Sequence, residues 1–340
     1  MKKRHTGLVV LVMLEITALI VIVVLGIMKM LKPDKEARTV RTTEATSEEV
    51  TQEATPAEAE AATEADTEAA TEAEVTEPEL AADIQKKLAD MTLEEKVSLM
   101  FVVSPEKLTG EDKVTIAGNV TRNYLEQYHV GGLCYSHTNY VDETQIKDLL
   151  TNTQTMATDV MGYTPILFAR DNRSKDMIYA SRTNVGGLCS ALATENGVKT
   201  TESGTLVTKL ICYPSEDAAE TADIVMLDAS LGEDNALTCM SADAVKNYRS
   251  ENNYTGILMT GRLDDTVVTS QYTSAEAVVA AVQAGVDMVY EPENFEEAYN
   301  ALVKAVNDDA VDEADIDKAA GRILTYMDSV GYLPEDAGEE

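Results

Sequence analysis

The stretch Tyr254-Thr-Gly-Ile-Leu-Met-Thr-Gly-Arg-Leu-Asp264 decides how the rest of the sequence is interpreted. Its residues 257–260 are apolar or β-branched and predict a short buried strand that ends at Gly261. In a barrel or a doubly wound sheet, catalytic groups lie at the carboxyl ends of such strands. Here that place holds Gly261 and Arg262. The stretch therefore raises the question whether the chain is a working enzyme or an enzyme scaffold that has lost its chemistry.

The sequence on both sides of this stretch alternates helical patterns with short apolar segments. Further strands are predicted at 101–103, 131–136, 165–169, 223–228 and 286–290. Two middle segments, 185–190 and 206–212, are also compatible with strands. Such alternation implies parallel βα units joined by right-handed crossovers. About eight strands in roughly 250 residues predict an α/β fold, an irregular or shortened (β/α)8 TIM-type barrel.

The helices between these strands carry recognisable start and stop signals. Thr92-Leu-Glu-Glu95 reads as a capping box, because the Thr92 hydroxyl can accept from the Glu95 amide while Glu95 reaches back. Gly285 is expected to stop the helix before it. The predicted helices after the first are 120–129, 143–156, 241–252, 274–284, 295–306 and 316–330.

The amino terminus predicts a membrane anchor. Residues 7–28 are almost continuously apolar and follow Lys2, Lys3 and Arg4, and about 20 such residues span a bilayer as a helix. The apolar core is longer than that of a signal peptide, and no small-residue cleavage site follows it. Because a long domain follows this first helix, we expect a single-pass protein of the cell membrane whose carboxyl-terminal domain is extracytoplasmic.

A Thr/Glu/Ala-rich segment follows the anchor, and residues 42–79 contain neither Lys nor Arg. Like-charge runs with few apolar side chains stay disordered, so a stalk is expected here, and a metal-binding or partner-binding tail is the alternative. The predicted organisation is a short cytoplasmic tail (1–6), a transmembrane signal anchor (7–31), a disordered linker (32–80), a barrel (81–333) and an acidic tail (334–340).

Composition excludes several classes of function. The formal net charge is −33, which argues against a nucleic-acid partner. The four cysteines form no CxxC or Cys/His pair at ligand spacing, so no zinc site is predicted, and no cofactor is expected. Buried free thiols are the simplest interpretation of the cysteines. They are Cys134, Cys189, Cys212 and Cys239.

Several segments resemble glycoside hydrolase family 3, particularly its β-N-acetylhexosaminidase branch, and they occur in the family's order over most of 90–333. The segments are Met91-Thr-Leu-Glu-Glu-Lys-Val-Ser-Leu-Met-Phe, Tyr128-His-Val-Gly-Gly-Leu, Pro165-Ile-Leu-Phe-Ala-Arg-Asp171, Ala222-Asp-Ile-Val-Met, Asn253-Tyr-Thr-Gly-Ile-Leu-Met-Thr, Ala284-Gly-Val-Asp-Met and Asp317-Lys-Ala-Ala-Gly-Arg-Ile-Leu. The resemblance implies a TIM-type barrel that acts on sugars, with Asp171 at the position that holds sugar hydroxyls.

The departures from the family's pattern lie at its catalytic positions. Gly261 stands where the family has its nucleophile aspartate, and Arg262 takes the next, usually acidic, position. Residues 172–175 replace Gln-Glu-Gly-Gly, and the histidine loop that supplies the acid/base group has no counterpart. No catalytic residue is therefore predicted to be intact. The chain's histidines are His5, His129 and His137.

The ligand-binding candidates are Asp171, Asp228 and Arg262, all predicted to lie at strand ends. Asp171 and Arg262 are expected to face each other across the barrel mouth as an ion pair. Asp228 is open between a ligand-facing group and a loop or cap residue, whereas Asp264 and Asp265 are expected to cap the following segment. Three tyrosines offer stacking surfaces or simple packing. They are Tyr135, Tyr140 and Tyr163.

Retaining glycoside cleavage needs a nucleophilic carboxylate and a proton donor, and both are missing from their family positions. The prediction is a membrane-anchored, catalytically inactive relative that binds cell-wall glycan, or a protein partner, as a scaffold at the cell surface. One alternative is an active exo-acting glycosidase of the β-N-acetylhexosaminidase or β-glucosidase type with relocated carboxylates. Another is a structural domain without sugar affinity.

Overall fold

The computed structural model describes residues 78–170, 177–179, 185–195, 208–209, 211–213, 222–229 and 237–334. The predicted anchor (7–31), nearly all of the linker and the candidate Asp171 lie outside these residues. Within them, no helix is both long enough and apolar enough to cross a bilayer.

The helices of the described residues surround a single sheet. They are α1 (Ala82–Asp90), α2 (Leu93–Leu99), α3 (Pro105–Thr109), α4 (Asn119–Gln127), α5 (Glu143–Met161), α6 (Val185–Glu195), α7 (Ala242–Glu251), α8 (Thr266–Thr269), α9 (Ser274–Ala284), α10 (Phe295–Asn307) and α11 (Glu313–Ser329). Short 3-10 turns lie at His137–Asn139 and Thr238–Met240.

The strands form a mostly parallel sheet in the order β5-β4-β3-β2-β1-β9-β8-β7-β6. They are β1 (Phe101–Val103), β2 (Gly132–Tyr135), β3 (Ile166–Arg170), β4 (Met177–Tyr179), β5 (Thr208–Lys209), β6 (Ile211–Tyr213), β7 (Ile224–Leu227), β8 (Ile257–Arg262) and β9 (Met288–Tyr290). Among the described strands, β4 runs antiparallel to both of its neighbours, β3 and β5, and the other paired strands are parallel. The predicted parallel α/β sheet is thus confirmed.

The two edges of this sheet are close together. Strands β5 and β6 stand at opposite ends of the order, yet residue 210 alone separates them in the chain. Two Cα–Cα steps span at most about 7.6 Å. The sheet therefore curves until its first and last strands are neighbours along one chain segment.

Local signals explain where most helices begin and end. The predicted capping box is present: Glu95 N donates to Thr92 Oγ1 at 3.2 Å, and Thr92 N donates to Glu95 Oε2 at 2.8 Å. A second capping box starts α9, with Thr273 and Glu276 in the same roles. Gly285 ends α9 with φ 98°, the left-handed conformation that glycine adopts without steric cost.

Two predictions for the middle of the chain differ from the structure. Residues 185–190 belong to helix α6, not to a strand; after Val185 they are Gly, Gly, Leu, Cys and Ser, none of which is β-branched. Strand β8 continues through Gly261 to Arg262 instead of ending at Gly261, because its ladder with β9 shifts register between Met259 and Arg262. The predicted strand at 206–212 is present as β5 and β6.

The core between strands β1, β2 and β3 depends on two adjacent glycines. A Cβ atom on Gly131 would lie 1.9 Å from the carbonyl oxygen of Leu99, and one on Gly132 would lie 2.9 Å from both Phe168 and Val102. No side chain fits at Gly131 unless the backbone moves. The close approach of these strands therefore requires glycine.

A buried carboxylate joins strands and helices at the opposite end of the sheet from the strand ends discussed next. Asp287 is 1% exposed and precedes β9. Its Oδ2 accepts from Arg249 Nη2 at 2.6 Å and from Leu258 N at 2.7 Å, and its Oδ1 accepts from Arg322 Nη1 at 2.6 Å. The carboxylate thus ties α7, β8 and α11 to the start of β9.

Candidate functional site

The carboxyl ends of the parallel strands bring charged side chains from distant parts of the chain together. Arg170 ends β3, Arg262 ends β8, and Glu291 follows β9. Lys107 of α3 and Asp264 complete the group through salt bridges. These five residues are the mouth cluster.

Gly261 has no room for a side chain. A Cβ atom there would lie 2.7 Å from the backbone nitrogen of Ala229 and 3.3 Å from the carbonyl carbon of Asp228. Because the near atoms belong to the backbone after β7, the contact cannot be relieved by a rotamer change. The close approach of the neighbouring strand end therefore leaves room only for glycine at this position.

Arg262 pairs with a residue two positions further along the chain. Its Nε and Nη2 donate to Asp264 Oδ1 and Oδ2 at 2.8 and 2.9 Å, a bidentate pairing. The predicted partner, Asp171, lies outside the described residues, and Arg262 forms its ion pair with Asp264. The prediction that Asp264 caps the next segment is wrong, because its carboxylate pairs with Arg262. The same prediction for Asp265 is confirmed: it caps α8 by accepting from Val267 N at 3.1 Å.

Lys107 sits at the centre of the mouth cluster. Its Nζ lies 2.7 Å from Asp264 Oδ2 and 3.3 Å from Glu291 Oε2, and it also donates to the carbonyl oxygens of Glu291 and Pro292. The ammonium thus joins two carboxylates and the end of β9. The sequence analysis missed Lys107, because it lies in a short helix outside every quoted motif.

Glu291 is a second residue that sequence reasoning missed. It is 2% exposed and adopts φ 50°, a conformation that non-glycine residues rarely take. The backbone N–H of Ser104 donates to its carboxylate. Its only signal in the sequence is its place between the last strand and Pro292. Backbone strain of this kind often accompanies functional sites.

Arg170 contributes to the mouth cluster from β3, which lies across β1 from the strand that carries Arg262. Its Nη1 lies 4.0 Å from Glu291 Oε2, too far for a hydrogen bond. This nitrogen is buried and has no hydrogen-bond partner among the described residues. Burial lowers the pKa of Arg170, but its interactions with Tyr290, Cys134 and Glu291 raise the pKa by more than burial lowers it. The guanidinium therefore stays charged.

The other residues considered from the sequence differ in how deeply they are buried. Asp228 is half-buried at the end of β7. Tyr135 and Tyr163 are 1% exposed, so their rings pack in the core and cannot stack on a sugar. Tyr140 is half-buried beside the turn that follows β2.

The cysteines whose side chains are described are free thiols; Cys134 and Cys239 are buried, as predicted, whereas Cys189 is half-buried. Burial raises the pKa of both Cys134 and Cys239 to about 12, so neither is a thiolate at neutral pH. Among the described residues, no group of three or more His, Cys, Asp and Glu side chains is placed to hold a metal ion.

The pairing of Asp264 predicts a contribution to acid stability. Burial raises the pKa of Asp264, but the hydrogen bonds from Arg262 and the charge of Lys107 outweigh it, and the pKa is lowered below 3.8. A carboxyl group whose pKa is lower in the folded state contributes stability at pH values above its unfolded pKa. This contribution is lost as the pH falls through the folded pKa. We therefore expect Asp264→Asn to lose stability at pH 7 but to show a shallower fall in melting temperature between about pH 5 and pH 2. An unchanged acid slope in this variant would contradict the assignment.

Comparison with known proteins places the fold. Residues 209–326 match the family model described as glycosyl hydrolase family 3 N terminal domain. No curated protein matches the sequence. Among solved structures, the family 3 β-N-acetylglucosaminidase of Paenibacillus sp. str. FPU-7 is 18% identical with a TM-score of 0.50, covering 74% of this chain and 65% of that one.

Two other solved structures are similar. The fungal multi-domain family 3 β-N-acetylglucosaminidase is 13% identical with a TM-score of 0.52, covering 72% of this chain and 40% of that one. A β-glucoside phosphorylase is 11% identical with a TM-score of 0.50, covering 76% of this chain and 63% of that one. The chain spans less than two thirds of the length of each of these proteins. At such identities the likeness establishes the fold and not the activity. The family model covers residues 209–326, so the comparisons together show a parallel α/β fold like that of the family 3 N-terminal domain.

Proposed function

We propose that this protein is a degenerate family 3 barrel that binds a glycan at the cell surface without cleaving it. The proposal adds a membrane anchor at 7–31, an extended linker that holds the domain away from the bilayer, and an extracytoplasmic location, all argued from the sequence. The observation that carries it is Gly261, where the nucleophile is absent and the backbone of Ala229 fills the space.

The carboxylates of the mouth cluster are poor replacements for the missing catalytic pair. Asp264 accepts from both Arg262 and Lys107, and its lowered pKa keeps it ionised at neutral pH, whereas a general acid must hold a proton there. Glu291 is 2% exposed and its carboxylate already accepts from Ser104 N. Neither group has the freedom that attack on an anomeric carbon requires. The geometry of these two carboxylates therefore favours loss of turnover over relocation of the catalytic groups.

The proposal is tested with the full-length protein and two chromogenic substrates, a β-N-acetylglucosaminide and a β-glucoside. We expect no turnover above the uncatalysed rate, together with measurable binding of an uncleaved glycan by calorimetry. Turnover that disappears in Asp228→Ala or Asp264→Asn would refute the proposal in favour of an active glycosidase. A folded protein that binds no glycan would leave a purely structural role.

Restoring the carboxylate is expected to fail. Gly261→Asp should give no glycosidase activity and should lower the free energy of unfolding by about 1–3 kcal/mol, because its Cβ lies too close to the backbone of Ala229. Gly261→Ala is the matched control, since it adds the same Cβ without the carboxylate. We expect both variants to lose similar stability in urea unfolding. Glycosidase activity in Gly261→Asp at wild-type stability would show that a side chain fits beside the backbone of Ala229, contrary to this expectation.

A further inference from the structure

The mouth cluster carries more positive than negative charge, although the whole chain has a net charge of −33. Lys107, Arg170 and Arg262 are its cations, and Asp264 and Glu291 are its carboxylates. Local charge of one sign against a background of the other is an arrangement that concentrates ligands of opposite charge.

The two arginines belong to strands on opposite sides of β1 in the sheet order. Strands β3 and β8, which end in Arg170 and Arg262, are separated by three strands in the sheet order. Both guanidinium charges nevertheless act on the buried thiol of Cys134: burial raises its pKa, and the two arginines lower it. The hydrogen bonds to Asp264 raise the pKa of Arg262, whereas the like charge of Arg170 lowers it. The ion pairs connect the two side chains: Arg170 Nη1 lies 4.0 Å from Glu291 Oε2, Lys107 Nζ lies 3.3 Å from the same oxygen and 2.7 Å from Asp264 Oδ2, and Asp264 is the partner of Arg262.

The guanidinium groups are not fully used by the protein groups around them. Arg170 Nη1 is buried and lacks a hydrogen bond to any described residue. In Arg262, the bidentate pairing with Asp264 engages Nε and Nη2, and Nη1 takes no part in it. A buried donor without an acceptor is unfavourable and is relieved by an acceptor brought by a ligand. Arginine is also the residue whose planar fork matches a carboxylate or phosphate.

We propose that the barrel mouth binds the carboxylate or phosphate group of an acidic sugar between Arg170 and Arg262. This inference rests on the proposed function, because it names the ligand class of the same non-hydrolytic site. The oxyanion would accept from the unused N–H groups of both guanidiniums and offset their mutual repulsion. A neutral sugar offers no such charge, so discrimination between acidic and neutral sugars is the expected property of the site.

The test is isothermal titration of the full-length protein with D-glucuronate, D-glucose and inorganic phosphate. D-Glucuronate differs from D-glucose only in its carboxylate, and phosphate lacks the sugar ring. We expect the protein to bind D-glucuronate at least tenfold more tightly than D-glucose. If phosphate binds with an affinity similar to that of glucuronate, the site recognises an oxyanion by its charge alone. If phosphate binds far more weakly than glucuronate, the site also recognises the sugar ring of a sugar acid.

Arg262→Gln is expected to weaken binding of D-glucuronate at least tenfold, and Arg262→Lys is expected to give an intermediate loss because it keeps charge without the fork. Arg122→Gln is the matched control, because Arg122 has similar exposure and pairs with Glu126 and Asp159 on the outer surface. If Arg262→Gln does not fold, Arg262→Lys carries the test. Equal affinity for glucose and glucuronate, no anion binding, or insensitivity to Arg262 would each overturn the inference. None of these results depends on turnover of the neutral chromogenic substrates, which tests the proposed function separately.

Discussion

Gly131→Ala is expected to lower the free energy of unfolding by about 4–5 kcal/mol, a loss reserved for severe core damage. The reason is geometric: the added Cβ would lie 1.9 Å from the carbonyl oxygen of Leu99 and 3.0 Å from its carbonyl carbon. Real Cβ atoms do not approach a backbone so closely, so the end of α2 must separate from the start of β2. That movement opens the core where β1 and β2 pair.

Urea unfolding followed by far-UV circular dichroism measures this effect, since the chain has no tryptophan to report on it. Gly118→Ala is the control, because a Cβ there meets nothing within 4 Å and the backbone is extended. As Gly118 is the N-cap of α4, its replacement is expected to cost no more than about 1 kcal/mol. Equal losses in the two variants would contradict the clash as the cause.

Asp287→Asn is expected to destabilise the protein by about 3–5 kcal/mol, the usual result of breaking a buried ion pair from one side. The carboxylate is 1% exposed and lies between Arg249 and Arg322, whose side chains are 12% and 14% exposed. An amide cannot neutralise two guanidiniums, and its NH2 group would point donors at donors. The variant therefore leaves buried positive charge without compensation.

The control for Asp287→Asn is Asp315→Asn in the exposed pair with Lys318, where both side chains are more than half exposed. Such surface pairs contribute within about 1 kcal/mol. Thermal unfolding of both variants at low and high salt completes the measurement. The Asp287→Asn loss should persist at high salt, because buried charges are screened less than exposed ones. A loss that vanishes in high salt would place Asp287 at the surface and refute the assignment.

Periodicity and caps predicted much of the fold because they act over a few residues. Three local signals each predict one element without information from distant residues. They are the capping box at Thr92, the glycine stop at Gly285 and the apolar run of β7. Helix α6 was misjudged because a short apolar run suits a strand or a buried helix equally well. Its packing against β3 and α5 decided the outcome, and no local signal conveys that.

The site was harder to predict than the fold. Gly261 and Arg262 stood out because the strand around them resembles a known family. Lys107 and Glu291 are 184 residues apart in the chain and meet only through the pairing of β1 with β9. The pairing of Arg262 with Asp264 was not foreseen either, because a bidentate bond to a residue two positions away depends on the side-chain rotamer. Long-range geometry and rotamers are the information that single-sequence reasoning lacks.

The segment 208–213 has a consequence for self-association. Its first half completes the ladder with β4 and its second half completes the ladder with β7. An uncovered strand edge offers unpaired N–H and C=O groups to other chains. A chain cleaved or lengthened at residue 210 would no longer hold β5 and β6 together, and loss of either strand from its ladder would uncover the edge of β4 or of β7 to other chains.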